Sequence, residues 1–207
     1  MAEVVSPITR QVTKGSQENV TCFVNINLRD VEDCLIYDRH GVSLPFKTLY
    51  QDRKSVIIFV RNFLCYSCKE YADDLGKIPR EVLESFCLLT EYPYEIYVDP
   101  ERRIYQKLGM KREETFTDSA QPSPHVKSGV FMGQIKTIWR AMTSPAFDFQ
   151  GDLHQQGGAI IAGPGSKVHF SHLDMNRLDH MPINWLLQLA GAQKTIDFSD
   201  KPKIIHI

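Results

Sequence analysis

No stretch of this sequence stays apolar long enough to cross a bilayer: the ~20 consecutive apolar residues of a spanning helix are nowhere approached in its 207 residues. Charge of one sign is lacking too. The 24 basic and 25 acidic residues are mixed along the chain, which argues against nucleic acid or an anionic membrane as the main partner. Met1 to Pro7 carries no apolar leader, and the five cysteines are an odd number, so the expected compartment is reducing and cytoplasmic. A second close cysteine pair is also missing. Cys22, Cys34 and Cys87 stand alone beside Cys65 and Cys68, and that spacing argues against a four-ligand zinc site.

What is present is one organising stretch, Ser55 to Leu75. Val56 to Val60 is an unbroken run of β-branched and aromatic residues, expected to be a strand buried on both faces as in a parallel sheet. From Cys65 the period changes, and Cys68, Tyr71, Ala72, Leu75 and Ile78 share one side of a helix that Pro79 stops. Cys65 then sits at the helix N-terminus, partly exposed, where unpaired amides and the helix dipole favour a thiolate. Cys68, one turn in, faces the core. Strand, C-x-x-C and helix in that order form the thioredoxin-like redox signature, with Cys65 as nucleophile and Cys68 as resolving partner. Half of a structural zinc site and two idle buried cysteines are the alternatives.

The rest of the chain supplies scaffold. Residues 1–21 are expected to be a flexible tail, 22–192 the domain, and 193–207 a second tail. Leu35 to Leu44 reads as a hairpin turning at His40-Gly41. Val82, Leu83, Phe86 and Leu89 can share a helical face, with Cys87 packed beside them. Glu95 to Val98 reads as a strand, followed by a helix with Asp99 as N-cap, Pro100 at its first position and Gly109 past its end. Lys111 to Lys127 is expected to be an exposed loop. Phe131, Ile135, Ile138, Trp139 and Met142 make an amphipathic stripe ending at Pro145. Arg140 beside it either lends positive charge to a thiolate or is simply solvated. A hairpin around Gly163-Pro164-Gly165 and a last helix, with Ile183, Leu186, Leu187 and Ala190 inward, complete the pattern. His169, His172 and His180 invite a metal, but residues three apart on a strand point to opposite faces.

With these elements in place, four segments carry a resemblance: Phe59 to Tyr71, Glu95 to Glu101, Phe147 to Asp152 and Asn176 to His180. Together they resemble the peroxiredoxin-like 2 family, the AhpC/TSA antioxidant branch of the thioredoxin-like superfamily. The resemblance implies an α/β, thioredoxin-like (peroxiredoxin-like) three-layer fold with a central mixed sheet. It also implies Cys65 and Cys68 as the catalytic pair, no bound cofactor, and a thioredoxin-like or other dithiol protein as reductant. A peroxide, an endoperoxide or a disulfide would be the acceptor. The competing expectation is a non-catalytic, redox-sensitive regulatory protein on the same scaffold.

Three departures accompany the resemblance. Ile58 and Asn62 stand where true peroxiredoxins have the Pro and Thr ahead of the attacking cysteine, and Gln156-Gly157-Gly158 replaces the thioredoxin-type proline. No β-rich run lies between Leu75 and Glu95. Roughly 25 residues, one core strand and helix, are therefore expected to be missing after Leu83 or Glu84. Ile96 and Val98 must then either fill the vacant place beside Val56 to Val60 or stay peripheral and leave that edge open.

Overall fold

Asp38 makes the first turn: its carboxylate accepts the backbone N–H groups of His40 and Val42, both at 2.8 Å, and Gly41 takes φ +80°. Such a side-chain turn reverses the chain with little backbone strain. The hairpin pairs β1 (Leu35–Tyr37) with β2 (Ser43–Pro45), Leu35 opposite Pro45. The computed structural model describes residues 26–62, 65–78, 95–112, 122–128, 135, 152, 154–192 and 195–198. The expected tail at 1–21, the helix through Cys87, Arg140 and most of the stripe around Trp139 lie outside them.

Further along come β3 (Ser55–Phe59), α1 (Tyr66–Leu75), α2 (Arg103–Lys107), β4 (Gly158–Ala162), β5 (Val168–Leu173) and α3 (Ile183–Ala190). The described sheet runs in the order β3-β4-β5, antiparallel throughout, with Phe59 opposite Gly158 and Gly158 opposite Leu173. This corrects the expectation of a parallel, doubly buried strand at Val56 to Val60. β4 is the central and fully buried strand, whereas β3 is half-buried up to Phe59. An apolar run of five residues measures hydrophobicity, and two neighbouring strands share that property whichever of them is central.

Side chains alternate across the sheet. Ile57, Phe59, Ile160 and Ala162 face a core with Phe46, Tyr50, Ile104 and Leu108. Val56, Ile58, Ala159 and Ile161 face the other side, where Leu186 and Ala190 of α3 pack. Ile58 also joins Tyr71 of α1 with Ile183 and Leu187 of α3. Helices therefore cover one face, while α2 and the β1–β2 region cover the other, giving three layers. In α3 the inward residues are the expected ones, and Gly191 closes it at φ +108°.

Three local expectations need correction. The helix after Asp99 begins only at Arg103, yet the Asp99 carboxylate still caps it by accepting the Arg103 and Ile104 N–H groups. Val98 forms a bridge to Tyr37 and Ile96 is 70% exposed, so the peripheral alternative holds: no described strand lies along the second edge of β3. Residues 122–128, expected within an exposed loop, instead dock on α1, where Glu70 accepts the Lys127 and Ser128 N–H groups and His125 is buried.

The dock explains why Asp74 is buried on α1, whereas Ala72, expected on the inward side, is exposed. Lys127 Nζ at 2.6 Å, Lys77 Nζ at 2.7 Å and His125 Nδ1 at 2.9 Å surround the Asp74 carboxylate. Burial pushes its pKa up, but the hydrogen bonds from Lys127, Lys77 and His125 outweigh that and hold it below the usual range. Burial drives the His125 pKa down. A neutral ring can donate from Nδ1 to Asp74 while its Nε2 accepts the Ile183 N–H at 3.0 Å, which ties α1, the docked segment and α3 together.

Replacing Asp74 by Ala should therefore lower the unfolding free energy by about 1–3 kcal/mol, because it orphans a buried imidazole while the two lysines regain water. Replacing the exposed Asp73 by Ala should change it by less than about 0.5 kcal/mol. Urea unfolding followed by circular dichroism measures both. Equal, small effects would contradict the anchoring role.

Candidate functional site

β3 ends at Phe59 and α1 begins at Tyr66, and Cys65 is the residue that caps the helix, at φ −61° and ψ 120°. Its sulfur makes no capping hydrogen bond to the first turn. The charged and polar groups around it are close at hand instead. Ser67 Oγ lies 3.1 Å from Cys65 Sγ, and Arg61 reaches the same sulfur through an N–H group at 3.6 Å. The Arg61 guanidinium is itself fixed by donating from Nε to the Gln155 carbonyl at 3.1 Å.

Cys68 stands one turn into α1, as expected, and the Arg61 backbone N–H donates to its sulfur at 3.3 Å. Both thiols are free. The expected difference in exposure is absent, since Cys65 is 5% exposed and Cys68 4%. The two differ in electrostatics. The Cys68 thiol donates to Cys65, and against the cost of burial this bond, with the Ser67 hydroxyl and the Arg61 charge, brings the Cys65 pKa down to about 4. Burial, reinforced by the hydrogen bond to Cys65 and its negative charge, pushes the Cys68 thiol up. The surroundings thus favour the charged form of Cys65 and the neutral form of Cys68.

Behind Cys68 lies a second group of residues. His180 Nε2 is 3.8 Å from Cys68 Sγ, and His180 Nδ1 is 2.7 Å from the Asp174 carboxylate. His172 contacts the same carboxylate at 3.4 Å and donates from Nε2 to the Asp179 carbonyl at 2.8 Å. Burial opposes the charged form of His172, but Asp174 and Asp179 more than offset it and its pKa rises. Burial likewise opposes an anionic Asp174, yet hydrogen bonds from His172 and His180 keep its pKa low. His172 and His180 thus share a carboxylate, while His169 bonds the Gly163 carbonyl.

Sequence reasoning singled out Cys65 and Cys68 and weighed His180 for a metal, but did not single out Arg61, Ser67, Gln155 or Asp174. Arg61 carried a signal: it is a charged residue four before Cys65, directly after an apolar strand. It brings positive charge to Cys65, the part considered for Arg140, which lies outside the described residues.

Such a site at a strand–helix junction, in a sheet covered on both faces, defines a thioredoxin-like α/β protein. A family model described as AhpC/TSA antioxidant enzyme matches residues 75–176, beginning just after the cysteine pair. Peroxiredoxin-like 2C of Takifugu rubripes is 68% identical, over an alignment covering 100% of both chains. Peroxiredoxin-like 2C of Homo sapiens is 49% identical, covering 86% of this chain and 85% of that one. Prostamide/prostaglandin F synthase of Xenopus tropicalis is 26% identical, covering 79% and 87%. No solved structure matches.

The chain belongs to the peroxiredoxin-like 2 family, and its fold is thioredoxin-like. The antioxidant domain and the relatives support a redox role. The Takifugu alignment spans 227 positions against 207 residues here, so that relative carries residues with no counterpart in this chain, in keeping with an absent unit. Among the described residues no helix is long and apolar enough to cross a membrane.

Alkylation gives the direct test of the two thiols. Iodoacetamide should modify Cys65 before Cys68, at a rate nearly constant from about pH 6 to about pH 9, because a low-pKa thiol is already ionised there. Replacing Ser67 by Ala removes one hydrogen bond to the thiolate and should move the acidic midpoint up by about one pH unit. A rate rising tenfold per pH unit through neutrality would show an ordinary thiol instead.

Proposed function

We propose that the protein is a cytosolic, thiol-dependent oxidoreductase of antioxidant kind, with Cys65 as the attacking thiolate and Cys68 as the resolving thiol. The observation that carries this reading is the asymmetry of the pair: the Ser67 hydroxyl and the Arg61 guanidinium are directed at Cys65 at the start of α1 and favour its thiolate, whereas burial favours the neutral thiol of Cys68. A thiolate is the nucleophile that opens a disulfide or a peroxide bond.

With a peroxide, Cys65 attacks one oxygen, the O–O bond breaks, and the products are a Cys65 sulfenic acid and an alcohol or water. With a disulfide, the product is a mixed disulfide on Cys65 and a released thiol. Cys68 then attacks the Cys65 sulfur, forming the internal disulfide and expelling water or the second thiol. A thioredoxin-like dithiol returns the pair to its reduced state by becoming oxidised itself. No bound cofactor enters these steps. The family resemblance and the name of the Xenopus relative bring a lipid endoperoxide among the acceptors to be tried.

Near-complete burial of both sulfurs favours a second reading, a regulatory protein in which the same pair senses oxidants without turnover. An assay following NADPH loss with thioredoxin and thioredoxin reductase, run with a peroxide, a small disulfide and a lipid endoperoxide, separates the two. Turnover with at least one acceptor is expected. It should be abolished by Cys65→Ser, whereas Cys68→Ser should accumulate a mixed disulfide on Cys65. No turnover with any acceptor favours the sensing role.

A further inference from the structure

The segment Asn176 to His180 has no part in the chemistry described so far, yet it is built with care. Asn176 Oδ1 accepts the Leu178 N–H at 2.8 Å, and Asp179 Oδ2 accepts the Met175 N–H at 2.9 Å. The Leu178 carbonyl accepts the Ser123 N–H, and the Asp179 carbonyl accepts His172. These bonds leave His180 buried between Asp174 and Cys68, with its ring centroid 5.2 Å from that of Tyr71.

The carboxylate decides which ring nitrogen carries the proton. Asp174 is anionic and contacts Nδ1 at 2.7 Å, so a neutral His180 keeps its hydrogen on Nδ1 and turns the Nε2 lone pair toward Cys68 Sγ at 3.8 Å. Cys68 has need of such a partner. Its thiol is pushed up by burial, so it reaches the nucleophilic form at neutral pH only if a neighbour accepts the proton.

We propose that His180, oriented by Asp174, is the base that takes the Cys68 proton as this thiol attacks the oxidised sulfur of Cys65, and the acid that protonates Cys68 when the internal disulfide is reduced. The proposal rests on the reading of Cys65 and Cys68 as a redox pair. In the resolving step the Cys68 S–H proton moves to Nε2 and a bond forms between the two sulfurs. The bond from Cys65 sulfur to its oxygen or to the substrate sulfur breaks. The leaving hydroxide or thiolate takes the proton from the imidazolium, and the products are a disulfide and water or a thiol. In the reverse direction an external dithiol gives up one thiol proton, which His180 takes, and attacks Cys65; the internal disulfide breaks, and Cys68 leaves as a thiolate that the imidazolium protonates. His180 touches a reacting atom and is a catalytic residue in this scheme; Asp174 is a positioning residue.

The groups that share this environment bear on its pH dependence. Cys68 and Tyr71 face it from α1, with Arg61 and Tyr105 close to Cys68. His172 comes from β5, Asp174 and Asp179 from the turn after it, and His125 from the docked segment. Asp174 carries the charge in direct contact with the ring.

The test follows one oxidation of the full chain by cystamine, with acid quenching and mass spectrometry to resolve the reduced, mixed-disulfide and internal-disulfide forms. His180→Gln should form the mixed disulfide on Cys65 within about twofold of the unaltered rate, but resolve it about 10²-fold more slowly at neutral pH. Its resolving rate should then rise tenfold per pH unit and approach the unaltered rate in alkali, where Cys68 ionises without help. Asp174→Asn should slow the same step and leave the first unchanged. Resolution at the unaltered rate in His180→Gln, or equal slowing of both steps, overturns the relay while leaving the redox pair in place. Failure of the unaltered protein to form any Cys65 adduct overturns the pair and the relay together. A measurement on the unaltered protein stands apart from any folding defect: the His180 ring should show the Nδ1–H tautomer by nitrogen NMR, and a proton on Nε2 with Nδ1 bare overturns the proposal.

Discussion

The close approach of β3, β4 and β5 at one end of the sheet is the constraint on which the site depends, and two glycines permit it. A Cβ at Gly157 would collide with the Phe59 carbonyl oxygen, and one at Gly158 with the carbonyl oxygen of His172. Gly157 also accepts the Asp174 N–H at 3.1 Å, and the Gln155 carbonyl receives Arg61. Three successive residues, Gln155 to Gly157, thus join the cation beside Cys65 to the carboxylate behind His180. Any side chain larger than hydrogen at Gly157 would push β3 away from β4, moving Arg61 and Asp174 relative to the cysteines.

From that joint follows the asymmetry of two thiols that are equally buried. Exposure cannot tell Cys65 from Cys68, and a helix N-terminus is only part of the answer. Cys65 has a guanidinium, a hydroxyl and a thiol directed at it, which favour its charge. Cys68 has a backbone N–H, an imidazole and the neighbouring thiolate, in a place where a second negative charge has little solvation. The buried Asp74 cluster keeps α1, which carries both cysteines, against α3 and the docked segment.

Local chemistry was legible in the sequence wherever neighbours along the chain decide it. The Asp38 to Gly41 turn, the inward face of α3 and the position of Cys65 at a helix start all depend on residues a few places apart. What could not be read depends on distant partners. Nothing near Asp74 in the sequence signals its burial, because its histidine and one of its lysines arrive from 51 and 53 residues away. Arg61 is a charged residue after a strand until the Gln155 carbonyl, 94 positions on, fixes its direction. The order of strands was hidden for the same reason: Val56 to Val60 and Gly158 to Ala162 are both apolar, and only their pairing with β5 shows which is central. His180 was weighed as a metal ligand by its spacing from other histidines, whereas its partners are Asp174 and a cysteine.

The central claim, that Cys65 and Cys68 form a reversible redox couple, is tested most directly by equilibrating the full chain in glutathione buffers of graded potential and mapping its disulfides by peptide mass spectrometry. The account predicts one internal disulfide, between Cys65 and Cys68, that appears and disappears over a single two-electron transition, about 30 mV per tenfold change in its equilibrium constant. A chain that stays fully reduced in the most oxidising buffer, or that pairs Cys34 or forms only intermolecular disulfides, would contradict it.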